Sequence, residues 1–375
     1  MRRVVITGAG CVGAAGVGTG SLRAALASDG PLGEVLEIET ARDRKRLVRL
    51  ARLVPFDREA FLPSRKLRRM GELSQLWVIC CLMARSDAGW EGAGGILPPP
   101  EKRGTFLGTG FGCIDTTWEY LTGMLRDGAA TASPFLFAES VANAPAGHSA
   151  IEMDTRGADI TLTCGDASAA TALEMAARAI RDGRLEMAYC GGVELMSESL
   201  VRVLASLRSP LFLGEGGACL ILESLDLARS RKARIYGEVA GGALASDPGA
   251  PATDYSRDPE ALERVIRRAL ASAAGESQPP AEPLRKIFLH AAGSPQAEAA
   301  ERRAVERTCP GILTEAVAAK TGTLAAAGGL NLVAAALEAG DPSGGTPDAR
   351  LLLVNSFGWG GSLVSVVFRK ADALQ

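Results

Sequence analysis

Short β-branched and apolar runs, each closed by glycine or another small residue and followed by a stretch with helical spacing, recur along the whole chain. Arg3–Thr7 runs into Gly8-Ala9-Gly10, and Ser74–Ala84 carries apolar residues at helical spacing. Gly104–Gly110 ends in Gly108-Thr109-Gly110 ahead of a helical Thr116–Leu125. Asp159–Thr163 alternates as a buried strand before an alanine-rich helix from about Ala167 to Arg181, and Glu186–Cys190 is a strand stopped by Gly191-Gly192. The rhythm then repeats: helix Asp258–Ala274, strand Lys286–His290, helices Glu298–Arg307 and Gly328–Leu337, strand Leu351–Asn355. Such alternation predicts layered α/β architecture.

At 375 residues the chain exceeds what one core of about 250–300 residues serves. Two packed halves are therefore expected, residues 1–245 and 246–375, dividing in the Gly-, Ala- and Pro-rich stretch Ala240–Thr253. Ser277–Pro283, Gly340–Asp348 and Leu97–Pro100 read as loops. The similar rhythm of the halves suggests an internal duplication.

Several function classes are excluded by what is missing. A net charge of −2 and no basic stripe with interleaved aromatics argue against nucleic acid as a partner. No apolar run approaches the roughly 20 residues that span a bilayer, and the first residues read as a strand entering a turn, not a signal peptide. The eight cysteines sit mostly in apolar segments without a C-x-x-C pair, as expected of buried thiols in the cytoplasm. With only His148 and His290 as imidazoles, a zinc site is not expected. The run Gly8–Gly13 resembles a dinucleotide loop, but no acidic residue ends a second strand about 20 positions on. A tight turn is the expectation there, and no cofactor is expected.

Three junctions remain as candidate sites. At Thr163-Cys164-Gly165-Asp166-Ala167-Ser168 a strand runs into a small-residue helix, placing Asp166 near the helix N-terminus. There it reads as an N-cap or as a group in an anion-favouring position. Cys164, at the strand end, is expected to be buried rather than reactive. His290 ends a strand before Ala291-Ala292-Gly293-Ser294-Pro295, where α/β sheets place functional groups, although a lone histidine is commonly structural. Asn355–Ser362 is a Gly-rich loop whose backbone N–H groups could approach a ligand, or which only turns the chain.

Together these segments resemble the β-ketoacyl-acyl carrier protein synthase family, over nearly the whole chain. The collinear matches are Val5-Ile6-Thr7-Gly8, Arg65–Met70 with Ser74-Gln75, Gly108-Thr109-Gly110, and Ser133-Pro134-Phe135 with Asn143 and Gly147. They continue through Gly191-Gly192-Val193-Glu194, Gly214–Gly217 leading to Leu220–Glu223, Tyr236–Val239, His290 with Ala299-Ala300-Glu301, and Asn355–Gly361. The resemblance implies a thiolase-like α-β-α-β-α fold of five layers built from two duplicated halves and dimerised through the N-terminal half. It also implies a Cys–His–His triad that condenses a malonyl-carrier thioester with an acyl-cysteine.

Here the triad is altered. Counting back from Asp182-Gly183 and Gly191-Gly192 puts Asp166 at the nucleophile position. His290 matches the first histidine, but the Thr-Gly-His motif of the second reads Lys320-Thr321-Gly322-Thr323, so Thr323 holds its place. The family's lysine falls on Val317 or Ala318 and its glutamate on Asn331 or Leu332, with Lys320 off register. An aspartate would transfer acyl groups through a labile mixed anhydride. Its charge would oppose the malonyl carboxylate by roughly 4 kcal/mol at about 4 Å and an effective dielectric near 20, about three decades in rate. The lost imidazole costs roughly two to three decades more, by analogy with oxyanion-hole deletions.

By the same resemblance, the oxyanion-hole amides map to Asp166 and Trp359 in the Gly358-Trp359-Gly360 loop. The Asp166 carboxylate is expected to occupy that hole itself. Phe111 falls at an acyl-tunnel position and Trp118 on the helix toward the dimer interface, or both are plain core aromatics. A fold kept without its triad resembles the chain-length factors, inactive subunits that pair with an active ketosynthase in polyketide and aryl-polyene elongation, with an acyl carrier protein as the further partner. The alternatives are a malonyl-carrier decarboxylase or acyl hydrolase using His290 and Asp166, and a homodimeric acyl-binding protein.

Overall fold

The computed structural model describes residues 2–40, 44–90, 97–207, 211–274, 283–290, 293–341 and 350–371. Most of the loops expected at Ser277–Pro283 and Gly340–Asp348, and Ala291-Ala292 after His290, lie outside the described residues.

Among the described residues the principal sheet has eleven strands, a two-residue strand Gly16–Val17 paired with the end of the first and ten that form its main path: β1 Val4–Gly13, β2 Arg103–Gly108, β3 Asp159–Leu162, β4 Met187–Glu194, β5 Gly216–Ser224, β6 Gly237–Ser246, β7 Leu284–Phe288, β8 Leu313–Glu315, β9 Leu351–Phe357 and β10 Ser362–Lys370. Their spatial order is β3-β2-β4-β5-β1 followed by β6-β10-β9-β7-β8. Adding five to each label of the first set gives the second, and the pairing senses agree as well. In both sets the two outer contacts are parallel (β3–β2 and β2–β4; β8–β7 and β7–β9), and the two inner ones are antiparallel. The duplication that rhythm alone suggested is thus explicit in topology. The sets meet through a brief antiparallel pairing of β1 with β6 at Val5–Glu238 and Ile6–Gly237.

Helices complete the five layers. The ones that matter here are α1 Glu72–Asp87, α2 Ile114–Asp127, α3 Ala144–Met153, α4 Ser168–Arg181, α5 Pro259–Ala274, α6 Pro295–Thr308 and α7 Ala325–Ala339. α1 and α3 cover the outer face of the first sheet, and α5 and α6 that of the second. Between the sheets lie α4 and α7, which occupy equivalent places in the two repeats and pack on each other. This middle layer is built from alanine and glycine because it is covered on both faces and must admit close approach. Among the described residues no helix is long and apolar enough to cross a membrane.

Close approach corrects two expectations, and the sheet corrects two more. Gly8-Ala9-Gly10 does not turn: β1 runs through it to Gly13, and a Cβ on Gly10 would stand 2.5 Å from the Cys80 carbonyl of α1. Gly191-Gly192 does not stop β4, which continues to Glu194. A Cβ on Gly192 would meet Ala325 O at 2.7 Å and Ala169 Cβ at 2.8 Å, at the starts of the two middle helices. These glycines serve packing rather than turning. The stretch beginning at Ala240 is strand β6 as far as Ser246, where it pairs with β10. β3, expected to be buried, is a half-exposed edge strand.

Candidate functional site

Asp166 stands in a single 3-10 turn, Gly165–Ala167, between the end of β3 and the start of α4. The turn is held by Ser168, whose Oγ accepts from Cys164 N–H at 2.8 Å and reaches Gly165 O at 2.6 Å and Thr109 O at 3.0 Å. Asp166 does not cap α4, whose N-cap is Ala167 with no side-chain cap bond. Sitting ahead of the N-cap, its carboxylate misses the first free N–H groups of the helix and faces across the site instead.

There Oδ2 accepts two hydrogen bonds: from the Tyr255 hydroxyl at 2.5 Å and from the Leu324 N–H at 3.2 Å. Asp166 is 4% exposed and Tyr255 1%. Leu324 holds φ at 102°, a conformation that costs a residue with a side chain of order 1–3 kcal/mol. That backbone aims its N–H at the carboxylate from the start of α7, so the site lies where the two middle helices begin. The Asp166 backbone carbonyl, in turn, accepts from Ser356 Oγ at 3.1 Å. The expectation that the carboxylate fills the hole made by the Asp166 and Trp359 amides is not met. Among the described hydrogen bonds it goes to Tyr255 and Leu324, since a buried carboxylate takes the donors its direction allows.

His290 is buried two residues beyond β7, with its backbone N–H donating to Glu301 Oε1 at 2.9 Å. Tyr255 packs edge-on against its ring at 4.9 Å between centroids, and Phe357 does so at 5.5 Å. Tyr255 also meets Trp359 at 6.3 Å, and Trp359 meets Phe111 at 6.2 Å. One run of edge contacts therefore joins Phe111, Trp359, Tyr255, His290 and Phe357. Gly358 allows the loop to lie on the junction: a Cβ there would be 2.1 Å from Cys164 O. The Gly360 N–H is taken by Pro251 O and Asp254 O, both at 3.2 Å, which ties this loop to the segment carrying Tyr255.

Thr323 directs its hydroxyl to Phe212 O at 2.8 Å, and its N–H goes to the same carbonyl at 3.0 Å. Its neighbour Leu324, rather than Thr323, reaches the carboxylate. Lys320 lies elsewhere, its ammonium donating to the carbonyls of Leu26 at 2.8 Å and of Ser28. Asn331 bridges behind His290, with Nδ2 donating to Leu289 O at 3.2 Å. His148 is outside the site, paired with Glu139 at 2.6 Å. Cys164 is half-buried, and burial raises its thiol pKa although Thr171 offsets part of the effect, so it is no ready nucleophile.

Three residues shape the site without having been foreseen in it: Tyr255, Leu324 and Glu194. Glu194 is fully buried and accepts from Gly110 N–H at 2.5 Å, Phe111 N–H at 3.2 Å and Thr109 Oγ1 at 3.2 Å, fixing the loop that presents Phe111. Burial pushes its pKa up to about 8 against those donors, and the charge of Asp166 adds to the rise. Trp118 is not brought in. It lies on α2, which buries none of its side chains, and is 64% exposed.

Residues 1–211 match the family model of the N-terminal domain of the β-ketoacyl synthases. The 3-oxoacyl-[acyl-carrier-protein] synthase 2 of Synechocystis sp. is 27% identical over 368 residues, covering 84% of this chain and 85% of its own. Among solved structures, the ishigamide ketosynthase/chain length factor superposes with a TM-score of 0.82 at 22% identity, over 98% of this chain and 99% of that one. A type II polyketide synthase acyl carrier protein in complex with its ketosynthase bound to the hexaketide gives 0.80 at 22% identity, over 99% and 100%.

Proposed function

The chain belongs to the β-ketoacyl synthase family, and from that premise we propose that it is a non-condensing subunit of the chain-length-factor kind. In this reading it pairs with an active ketosynthase in the cytoplasm and helps shape the tunnel into which a carrier-bound chain grows. The observation that carries the reading is the state of the junction. Where the family's chemistry needs sulfur there is a buried carboxylate whose Oδ2 is already engaged by Tyr255 and Leu324. Where it needs a second imidazole, Thr323 is turned to a backbone carbonyl. His290 is left without the two groups with which it would activate a thioester, so neither acylation nor decarboxylation has its donor set.

The surface supports a partner. α2 presents Ile114, Trp118, Leu121 and Leu125 along one exposed stripe at helical spacing, and exposed Phe137 packs on the same helix at Tyr120. An apolar stripe of this kind marks a protein-binding face. Phe111, in edge contact with Trp359, lies just ahead of that helix in the chain.

Co-expression with an intact Cys–His–His ketosynthase, followed by size analysis and an elongation assay with malonyl-carrier protein, tests the reading. A one-to-one complex that elongates, beside a lone chain that forms no carbon–carbon bond, is the expected outcome; Phe111→Ala in that complex lengthens the product. Condensation by the chain alone, or release of carbon dioxide from malonyl-carrier protein without a partner, would overturn it.

A further inference from the structure

We propose that Tyr255 is a plug: its ring and hydroxyl close the site to acyl thioesters independently of the missing nucleophile. The plug gives the non-condensing reading a second cause, and rests on that reading for its purpose but not for its geometry.

The geometry is specific. A thioester carbonyl that is to react at residue 166 must approach the side chain at the start of α4. That side chain is 4% exposed, and its Oδ2 already holds the Tyr255 hydroxyl at 2.5 Å and the Leu324 N–H at 3.2 Å. The phenol ring lies edge-on to both His290 and Trp359, at 4.9 and 6.3 Å between centroids. It therefore stands between the group at the nucleophile position and the imidazole, in the space where the reacting carbon would have to sit. Nor is the ring loosely placed. Its segment is fastened to the Gly-rich loop by the Gly360 N–H on Pro251 and Asp254, and Ser256 donates to Asp247 Oδ2 at 2.6 Å. With its segment fixed, the ring can swing aside only by giving up the hydrogen bond to Asp166 and the edge contacts with His290 and Trp359.

Restoring sulfur at residue 166 is then insufficient to restore acyl transfer. The experiment uses the full chain without a partner, in a Cys164→Ala background so that labelling near the junction reports on residue 166 alone. Asp166→Cys is compared with Asp166→Cys/Tyr255→Ala, each incubated with the hexanoyl thioester of N-acetylcysteamine. In this step the introduced thiolate attacks the thioester carbonyl and a new thioester bond forms. The bond to N-acetylcysteamine breaks, and that thiolate leaves and takes up a proton. Intact and peptide mass spectrometry give the initial rate.

The expected result is acylation at least about tenfold faster in the Tyr255→Ala combination, with a Tyr255→Phe combination as slow as the single variant because it keeps the ring. Equal rates for Asp166→Cys with and without Tyr255→Ala would overturn the proposal. Should Tyr255→Ala unfold the chain, as seen by labelling of the buried thiols Cys80 and Cys219, Tyr255→Val makes the same comparison. Partner assembly is read separately by size, so a failed plug leaves the non-condensing reading standing, and a failed assembly leaves the plug standing.

Discussion

Glu194 is the residue whose chemistry most directly couples this site to pH. Its pKa in the folded chain is pushed up to about 8 by burial, with the Asp166 charge adding to the rise. The unfolded chain releases that proton near the ordinary carboxyl value of about 4.3. A carboxyl raised on folding contributes stability in full below its unfolded pKa and loses it as pH climbs through the folded one. Stability from this group should therefore decline between about pH 4.5 and about pH 8. Glu194→Gln keeps the shape and the acceptor for Gly110 and Phe111 but carries no proton to lose. Urea unfolding of both proteins at about pH 5 and about pH 8.5 should show the variant gaining on the native chain at the higher pH; a constant difference would refute the assignment. How much of the site could be read in advance differs by residue for a clear reason. Asp166, His290 and Thr323 could be singled out because the family motif fixes their count along the chain, and the structure joins Asp166 and His290 through Tyr255 while Thr323 turns to Phe212 O. Tyr255 could not be, since it follows a Gly- and Pro-rich stretch and acquires its meaning only when that stretch folds over the junction. The direction of the Asp166 carboxylate was misread for a related reason: N-cap geometry turns on a shift of one residue, which sequence does not resolve.

At the scale of elements, glycine was the main source of error. Gly8, Gly10, Gly191 and Gly192 look like punctuation in one dimension, yet they lie inside β1 and β4. What they punctuate is the third dimension, the distance to the helix lying on the strand. A Cβ at Gly10 would fall 2.5 Å from Cys80 O and 2.6 Å from Ala84 N, both backbone atoms of α1 that a rotamer change cannot move. Gly10→Ala should therefore push α1 off β1 and cost about 1–3 kcal/mol, the range for overpacking a tight core. Chemical denaturation measures it; an unchanged midpoint would show that α1 has slack. The helices, by contrast, were legible, because α2, α4, α5 and α6 each carry an apolar period that survives in one dimension, and α1 and α7 are long apolar runs of good helix formers.

The whole molecule is two copies of one topology facing each other across α4 and α7, and its site lies where they meet. Asp166 enters at the start of the first repeat's middle helix, and Leu324 offers its N–H from the start of the second's. A site shared in this way holds its geometry only while both repeats stay docked, so a partner that buries a flank of the first repeat acts on a rigid body. The flank that invites such burial is the α2 stripe. Trp118 is 64% exposed and Leu125 84%, and Asp115, Glu119, Arg126 and Asp127 supply the helix's charges. Large apolar side chains left this far out on a helix with no buried face add nothing to the fold of the isolated chain, which is why they can be changed without disturbing it. Trp118→Asp should leave the unfolding midpoint of the lone chain within about 0.5 kcal/mol of the native value. The same change puts an unpaired charge into the centre of the proposed subunit contact. It should weaken assembly with the ketosynthase by at least about 2 kcal/mol, or roughly thirtyfold in Kd. Size analysis of the co-expressed pair, with native and substituted chains side by side, decides the matter. An intact complex carrying Trp118→Asp would move the partner's footprint off α2, and with it the route by which this chain could reach a growing product.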